Sequence, residues 1–176
     1  MRAYSQTTGL WLRGILQEEY GLRPDQARWV TFEDAHVESF RDPPWAERAP
    51  AGSDMLAMLR DGRLDAAIFG NETPAAPDLA TVFPDPEAAG RDFFDRHGLL
   101  PVNHMIVVRA EVARQAGVVR SLLDRFRAAG NPFPFGRKAL DPAVSLALRY
   151  AGEQGLLERP LTLEEVWAGL PPGCDA

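Results

Sequence analysis

Short apolar segments alternate with helix-forming segments in the first part of the chain, and this alternation constrains the fold more than any other feature. Apolar residues at helical spacing predict a helix over residues 7–20, with Arg13 on its outer face. Residues 28–32 and 64–69 have the length and composition of strands, and between them a second helix is predicted to begin after a cap at Ser53 and to end at Gly62. Strand, helix and strand in this order predict an α/β fold with a parallel or mixed sheet.

The rest of the chain is predicted to be mostly helical after one further strand at residues 102–109. A long helix over residues 110–129 would place an apolar stripe on one face. Further helix starts are predicted at Asp85-Pro86, at Asp141-Pro142 and at Thr162, which can form a capping box with Glu165. We therefore divide the chain into an α/β lobe, residues 1–107, and a helical segment, residues 108–176.

Composition excludes several classes of function. The chain has 19 Lys and Arg against 25 Asp and Glu, a net charge of −6, and no basic run, so nucleic-acid binding is not expected. Cys174 is the only cysteine, which rules out an internal disulfide or a cysteine-based zinc site. No two of the three histidines have metal-ligand spacing on one element, so no metal site is expected. The absence of a membrane-length apolar run and of a signal-peptide core predicts a cytoplasmic protein.

Four ordered segments resemble one protein family. They are TTGLWLRGILQEEYGL, LRDGRLDAAIFGN, FPDPEAAGRDFFDRHGLLPVNHMIVVR and LALRYAGEQGLLERPLTLEEVW. In order and spacing they resemble 4,5-dihydroxyphthalate decarboxylases, which implies the periplasmic-binding-protein-like (type 2) fold of two α/β lobes with a ligand cleft between them. The resemblance covers the second lobe and the C-terminal helices only. We therefore expect a single lobe with a mixed sheet flanked by helices, a helical C-terminal segment and no first lobe.

The resemblance implies a carboxy-lyase of aromatic catabolism that decarboxylates a dihydroxy aromatic dicarboxylate. The resemblance does not identify a cofactor. If the chain is truncated, we expect it to be inactive. The alternative is a module that binds a small carboxylate without catalysis, and a third interpretation is a non-functional lobe that dimerises. We expect a homodimer through the C-terminal helices, because the apolar stripe of residues 110–129 would otherwise be exposed.

The polar run before the first helix is the main candidate site. Ser5, Gln6, Thr7 and Thr8 precede the apolar helical pattern. They could simply cap the helix by accepting hydrogen bonds from its free N–H groups. Alternatively, they could bind the carboxylate of an aromatic ligand at the positive end of the helix dipole, with Tyr4 stacking on the ring. The residue types alone do not decide between the two interpretations.

Two further positions are candidates. Gly70 and Asn71 end a predicted buried strand, which is where open α/β sheets place ligands, although a plain turn explains them equally well. His104 lies in the predicted strand at 102–109, where the resemblance implies a histidine, and it is the candidate proton donor. A structural histidine would satisfy the same pattern. The sequence contains no nucleophile elbow, phosphate loop or dinucleotide-binding fingerprint.

Overall fold

The computed structural model describes residues 1–70, 73–130 and 136–171, so Asn71 and Cys174 lie outside the described residues. The elements are α1 (Thr7–Tyr20), β1 (Trp29–Thr31), β2 (Ala46–Arg48), α2 (Met55–Arg60), α3 (Pro86–His97), α4 (Ala110–Ala113), α5 (Ala116–Ala128), α6 (Arg137–Glu153) and α7 (Leu163–Val166).

The described chain forms two compact units. The first unit contains residues 1–98 and takes in residues 150–158, which include the last turn of α6. The second unit contains residues 99–149 and the chain from Arg159 onward. The predicted division into a lobe (1–107) and a helical segment (108–176) stays a prediction.

The sheet in the first unit is small and parallel. Strand β1 pairs with β2 in register, Trp29 with Ala46 and Thr31 with Arg48. The backbone of residues 1–2 runs beside the other edge of β1, since the Met1 nitrogen donates to the Val30 carbonyl (3.0 Å) and the Phe32 N–H donates to the carbonyls of Met1 (3.2 Å) and Arg2 (2.8 Å). This bonding pattern is that of parallel strands. The α/β class predicted from the sequence is confirmed, and the polar run at residues 5–8 follows the carboxyl end of this added segment.

Helix α1 begins and ends where the sequence predicts. It starts at Thr7 and ends at Tyr20, and Gly21 takes the left-handed conformation (φ 72°) expected of a C-terminal cap. Its buried face packs on the last turn of α6. The ring of Tyr150 meets Trp11 edge-on at 5.8 Å between centroids, and the Tyr150 hydroxyl donates to the Glu18 carboxylate. This pairing joins the first helix to the last turn of α6 within one unit.

Helix α3 is also anchored to α1. Asp85 caps α3 by accepting from the Ala88 N–H at 2.9 Å, with Pro86 as its first residue, as predicted. At its other end, Glu19 of α1 pairs with Arg96 (2.5 Å) and shares a 2.9 Å hydrogen bond with His97. The Arg96 cation near the carboxyl end of α3 also interacts favourably with the helix dipole.

Two predicted strands are not strands in the structure. Residues 64–69 and 102–109 have no regular secondary structure, and neither segment pairs with a strand in the described chain. A strand requires a neighbour to satisfy its backbone groups, and apolar composition alone does not supply one. Strand β2, in contrast, lies in a stretch rich in Pro and charged residues that predicted an irregular connection.

Helix boundaries differ from the prediction at three places. The cap of α2 is Asp54, which accepts from the Ala57 N–H at 2.7 Å, and not Ser53. The long helix predicted at 110–129 is broken at Gln115, whose backbone leaves the helical region (φ −95°, ψ 76°). Helix α6 begins at Arg137 and carries Pro142 inside it, whereas the sequence predicted a start at Asp141.

The apolar stripe expected to form a dimer interface is mostly covered within the chain. Val119 is buried, and the other four stripe residues, Val112, Ala116, Leu123 and Phe126, are half-buried. The most exposed large apolar side chains of the second unit are instead Ile106 and Val107, at 70% and 86%. The homodimer stays a prediction. None of the described helices is long and apolar enough to cross a membrane.

Candidate functional site

The first turn of α1 is not capped by a side chain. Its N-cap residue is Gln6, which makes no side-chain cap hydrogen bond, and the first turn contains no acidic residue. The Leu10 N–H reaches the Gln6 carbonyl at 2.9 Å, but the N–H groups of Thr7, Thr8 and Gly9 find no acceptor among the described residues. The interpretation of this run as a Ser/Thr cap is therefore not realised, and three backbone donors stay free at the positive end of the helix.

The Ser5 hydroxyl is a second unsatisfied group at this place. Its oxygen is buried and has no hydrogen-bond partner within the described chain. A buried hydroxyl left without a partner costs about 1–3 kcal/mol, so an external acceptor or donor would be stabilising here. Ser5 directly precedes Gln6, and Thr8 on the following turn is exposed to solvent. The Ser5 oxygen is closed to solvent, and the exposed side of the loop is at Thr8.

Tyr4 supports this loop from the interior. The side chain is fully buried, its hydroxyl donates to the Gln154 carbonyl at 3.2 Å, and the same hydroxyl accepts from the Trp45 indole at 2.8 Å. The pKa of Tyr4 is raised above its ordinary value, chiefly by burial. One face of its ring is covered by the Arg13 guanidinium, 3.8 Å from the ring centroid. In this conformation Tyr4 holds the loop and does not offer its ring to a ligand.

Arg13 is the residue that the sequence pattern misplaced. Helical spacing put it on the outer face of α1, whereas the structure buries its guanidinium completely. It donates to the Tyr4 carbonyl (2.7 Å), to the Gln154 side-chain oxygen (2.8 Å) and to the Met1 sulfur (3.2 Å). Burial lowers the pKa of Arg13 to about 10. The available signal was a charged residue four positions after a glycine, because the absence of a side chain at Gly9 leaves space for the Met1 methyl group and the guanidinium.

Gln154 completes the network from the far end of the chain. It is buried, its side-chain oxygen accepts from Arg13, and its side-chain nitrogen donates to the Leu10 carbonyl at 2.8 Å. The shape of the loop at residues 4–8 thus depends on a segment 150 residues away in sequence. No local pattern could predict this contact.

The other predicted site residues lie elsewhere or outside the description. Gly70 has a left-handed backbone (φ 74°) and accepts a hydrogen bond from the Thr73 hydroxyl at 3.1 Å, which fits a turn. His104 is exposed in an irregular segment of the second unit, whereas the residue 4–8 loop belongs to the first. Within residues 1–70, 73–130 and 136–171, no three His, Cys, Asp or Glu side chains are grouped to hold a metal.

Comparison with known proteins finds two relatives that carry the same name. No family model matches the chain. It is 32% identical over 124 residues to 4,5-dihydroxyphthalate decarboxylase of Comamonas testosteroni, a match that covers 64% of this chain and 37% of that protein. It is 28% identical over 103 residues to 4,5-dihydroxyphthalate decarboxylase of Pseudomonas putida, covering 52% of this chain and 40% of that protein. The chain thus spans about 40% of the length of these curated relatives. The similarities support a distant relationship to these decarboxylases.

Proposed function

We propose that this chain binds an aromatic dicarboxylate through one carboxylate at the N-terminus of α1, as part of a function related to 4,5-dihydroxyphthalate decarboxylation. The observation that carries the proposal is the buried Ser5 hydroxyl without a partner, next to an uncapped first turn. The distant similarity to two 4,5-dihydroxyphthalate decarboxylases supports the ligand class. The position of the loop after the carboxyl end of a parallel segment also supports the proposal.

A carboxylate matches the unmet groups of this loop. It has two acceptor oxygens, and the N–H groups of Thr7, Thr8 and Gly9 are donors without acceptors among the described residues. The positive end of the helix dipole favours a negative charge by about 0.3–1 kcal/mol at an exposed site. Hydrogen bonds to a charged group contribute about 1.5–3 kcal/mol each. The hydroxyls of Ser5 and Thr8 can add to the backbone donors.

The related reaction is a non-oxidative decarboxylation. The bond between the ring and one carboxylate breaks, CO2 leaves, and the ring carbon gains a proton. A ring hydroxyl para to the departing group donates electron density when that carbon is protonated, and its oxygen so carries part of the positive charge. The protein must fix the other carboxylate, supply a proton and keep water from the departing group. We assign the first task to the residue 5–8 loop, and only the resemblance supports His104, which belongs to the other unit, for the second.

Calorimetric titration tests the binding proposal. We expect phthalate to bind weakly and dimethyl phthalate, its neutral diester of the same ring, to bind at least about tenfold more weakly, because the ester cannot replace the charge-assisted hydrogen bonds. A cytoplasmic location would bring the site into contact with such anionic metabolites. Equal affinity for the two compounds, or no binding of phthalate, would contradict carboxylate recognition by this chain.

We expect the 176-residue chain alone to bind without decarboxylating. It spans about 40% of the length of its relatives, and the reaction needs a cleft that excludes water. Production of 3,4-dihydroxybenzoate from 4,5-dihydroxyphthalate, followed by chromatography, is the measurement. If product forms, His104→Gln should remove most of the activity, whereas His36→Gln, a change at another exposed histidine, should not. Full activity of the His104 variant would remove this residue from the proposed reaction. A chain that binds but never turns over corresponds to the alternative of a carboxylate-binding module.

A further inference from the structure

The Arg13 guanidinium is a buried cation without a counter-ion at bonding distance. Its hydrogen-bond acceptors are the Tyr4 carbonyl, the Gln154 amide oxygen and the Met1 sulfur, all of which are uncharged. No carboxylate among the described residues forms an ion pair with it. Asp42 influences it only from a longer distance, and that carboxylate already accepts a 3.4 Å hydrogen bond from the Thr31 hydroxyl. The protein therefore contains a desolvated positive charge that its own side chains do not neutralise.

Such an arrangement is unfavourable unless something compensates for it. Transferring a guanidinium from water to the interior removes its hydration, and neutral acceptors recover only part of the loss. The aromatic rings of Tyr4 and Trp29, with centroids 3.8 and 5.4 Å from the guanidinium carbon, recover a further part. The lowered pKa of Arg13 is consistent with a net penalty. A fixed positive charge of this kind raises the affinity of any anion that binds nearby.

The guanidinium lies beside the first turn of α1. A methyl group built on Gly9 would lie 2.8 Å from its Nη1 atom, so the charge sits directly against the third residue of the helix. Gly9 is one of the three residues whose N–H groups are free, and the unsatisfied Ser5 hydroxyl lies at the same end of the helix. The charge thus lies beside Gly9, at the same end of α1 as the free donors.

We propose that Arg13 is the buried counter-charge for a carboxylate bound at the N-terminus of α1. This inference rests on the proposed function and adds a residue to it that does not touch the ligand. Arg13 acts through space, and it also acts through Tyr4, whose carbonyl and ring it holds. The bound carboxylate in turn compensates for the desolvated guanidinium. Because the charge is out of contact with water, salt should screen this interaction less than it screens a surface pair.

A carboxylate introduced beside Arg13 by mutation tests the role of the guanidinium charge without removing Arg13. Gln154→Glu keeps an oxygen at the position that accepts from Arg13 and adds a negative charge there. Gln154→Met has a similar length, loses the same donor to the Leu10 carbonyl and adds no charge. We expect Gln154→Glu to weaken phthalate binding about tenfold more than Gln154→Met does, as measured by calorimetry. A purely structural role of Gln154 predicts that both variants lose affinity equally.

A second pair of variants covers the case in which the Gln154 variants do not fold. Arg13→Lys keeps a positive charge and Arg13→Met removes it, while Arg63→Met removes one charge at an exposed position of the same unit. We expect affinity to be retained best in Arg63→Met, to be intermediate in Arg13→Lys and to be about tenfold lower in Arg13→Met. Thermal melting establishes that each titrated variant is folded.

The outcomes separate this inference from the proposed function. If the parent chain binds phthalate and the charge of residue 13 or 154 makes no difference to its affinity, the counter-charge is refuted and carboxylate binding stands. If the parent chain does not bind phthalate, the proposed function fails and the counter-charge fails with it. The inference is supported if phthalate affinity falls with the change of charge at residue 13 or 154. It is not supported if affinity falls equally whenever the hydrogen bond between Arg13 and Gln154 is lost.

Discussion

Gly14→Ala is expected to lower the free energy of unfolding by about 3 kcal/mol, since it forces a methyl group into a closely packed place. A Cβ at this position would overlap the ring of Tyr150. That ring cannot move away easily, because it is fully buried, meets Trp11 edge-on, and donates its hydroxyl to Glu18. The gain in helix propensity from Gly to Ala, about 1 kcal/mol, offsets only part of the loss. Urea unfolding followed by tryptophan fluorescence measures the change.

Gly90→Ala is the matched control. Gly90 also lies inside a helix of the first unit, α3, but a Cβ built on it meets nothing within 4 Å. The same substitution should therefore stabilise the protein by about 0.5–1 kcal/mol. If Gly14→Ala were as stable as Gly90→Ala, the packing of α1 on the last turn of α6 would be wrong.

Replacing Ser5 and Thr8 together by alanine should weaken phthalate binding by about 1.5–3 kcal/mol, or at least tenfold. Ser5→Ala alone should leave the stability of the unliganded protein unchanged or raise it, because it removes a buried hydroxyl that has no partner. A loss of affinity in the double variant would therefore not come from a loss of stability caused by the Ser5 change. This separation distinguishes a ligand-binding group from a structural cap, whose loss would lower stability.

Thr81→Ala serves as the control for the double variant. Thr81 is exposed, and its hydroxyl donates to the Phe83 carbonyl at 2.7 Å within the same loop. Its removal should leave phthalate affinity unchanged. If the double variant binds phthalate as tightly as the Thr81→Ala variant does, the side chains of residues 5–8 do not take part in binding. Only the backbone donors would then be left to bind the carboxylate.

Local sequence signals identified the helices with strong end signals. Asp85-Pro86 opens α3, Gly21 closes α1, and Thr162 forms the predicted capping box with Glu165, whose N–H reaches the Thr162 hydroxyl at 3.2 Å. These features depend on neighbours in sequence, and so they can be read from it. The break at Gln115 was missed because an apolar stripe at helical spacing continues across it.

Long-range contacts account for what the sequence did not predict. Strand β2 has charged residues, and it is a strand because β1 pairs with it. Residues 64–69 have strand composition but no neighbouring strand in the described chain. The candidate site at the start of α1 stays a prediction, whereas the buried state of Arg13 and its bond to Gln154 depend on a contact between segments 141 residues apart. The resemblance to decarboxylases was identified from ordered segments and is supported at the level of a distant relationship.

Backbone amide shifts provide the most direct measurement of the central claim, which is that a carboxylate binds at the free N–H groups of α1. The 15N-labelled chain would be titrated with phthalate and the heteronuclear spectrum followed residue by residue. We expect the largest changes at the amides of Thr7, Thr8 and Gly9, which have no acceptor among the described residues of the unliganded protein. Saturable changes centred on other residues, with these three amides unmoved, would contradict the account.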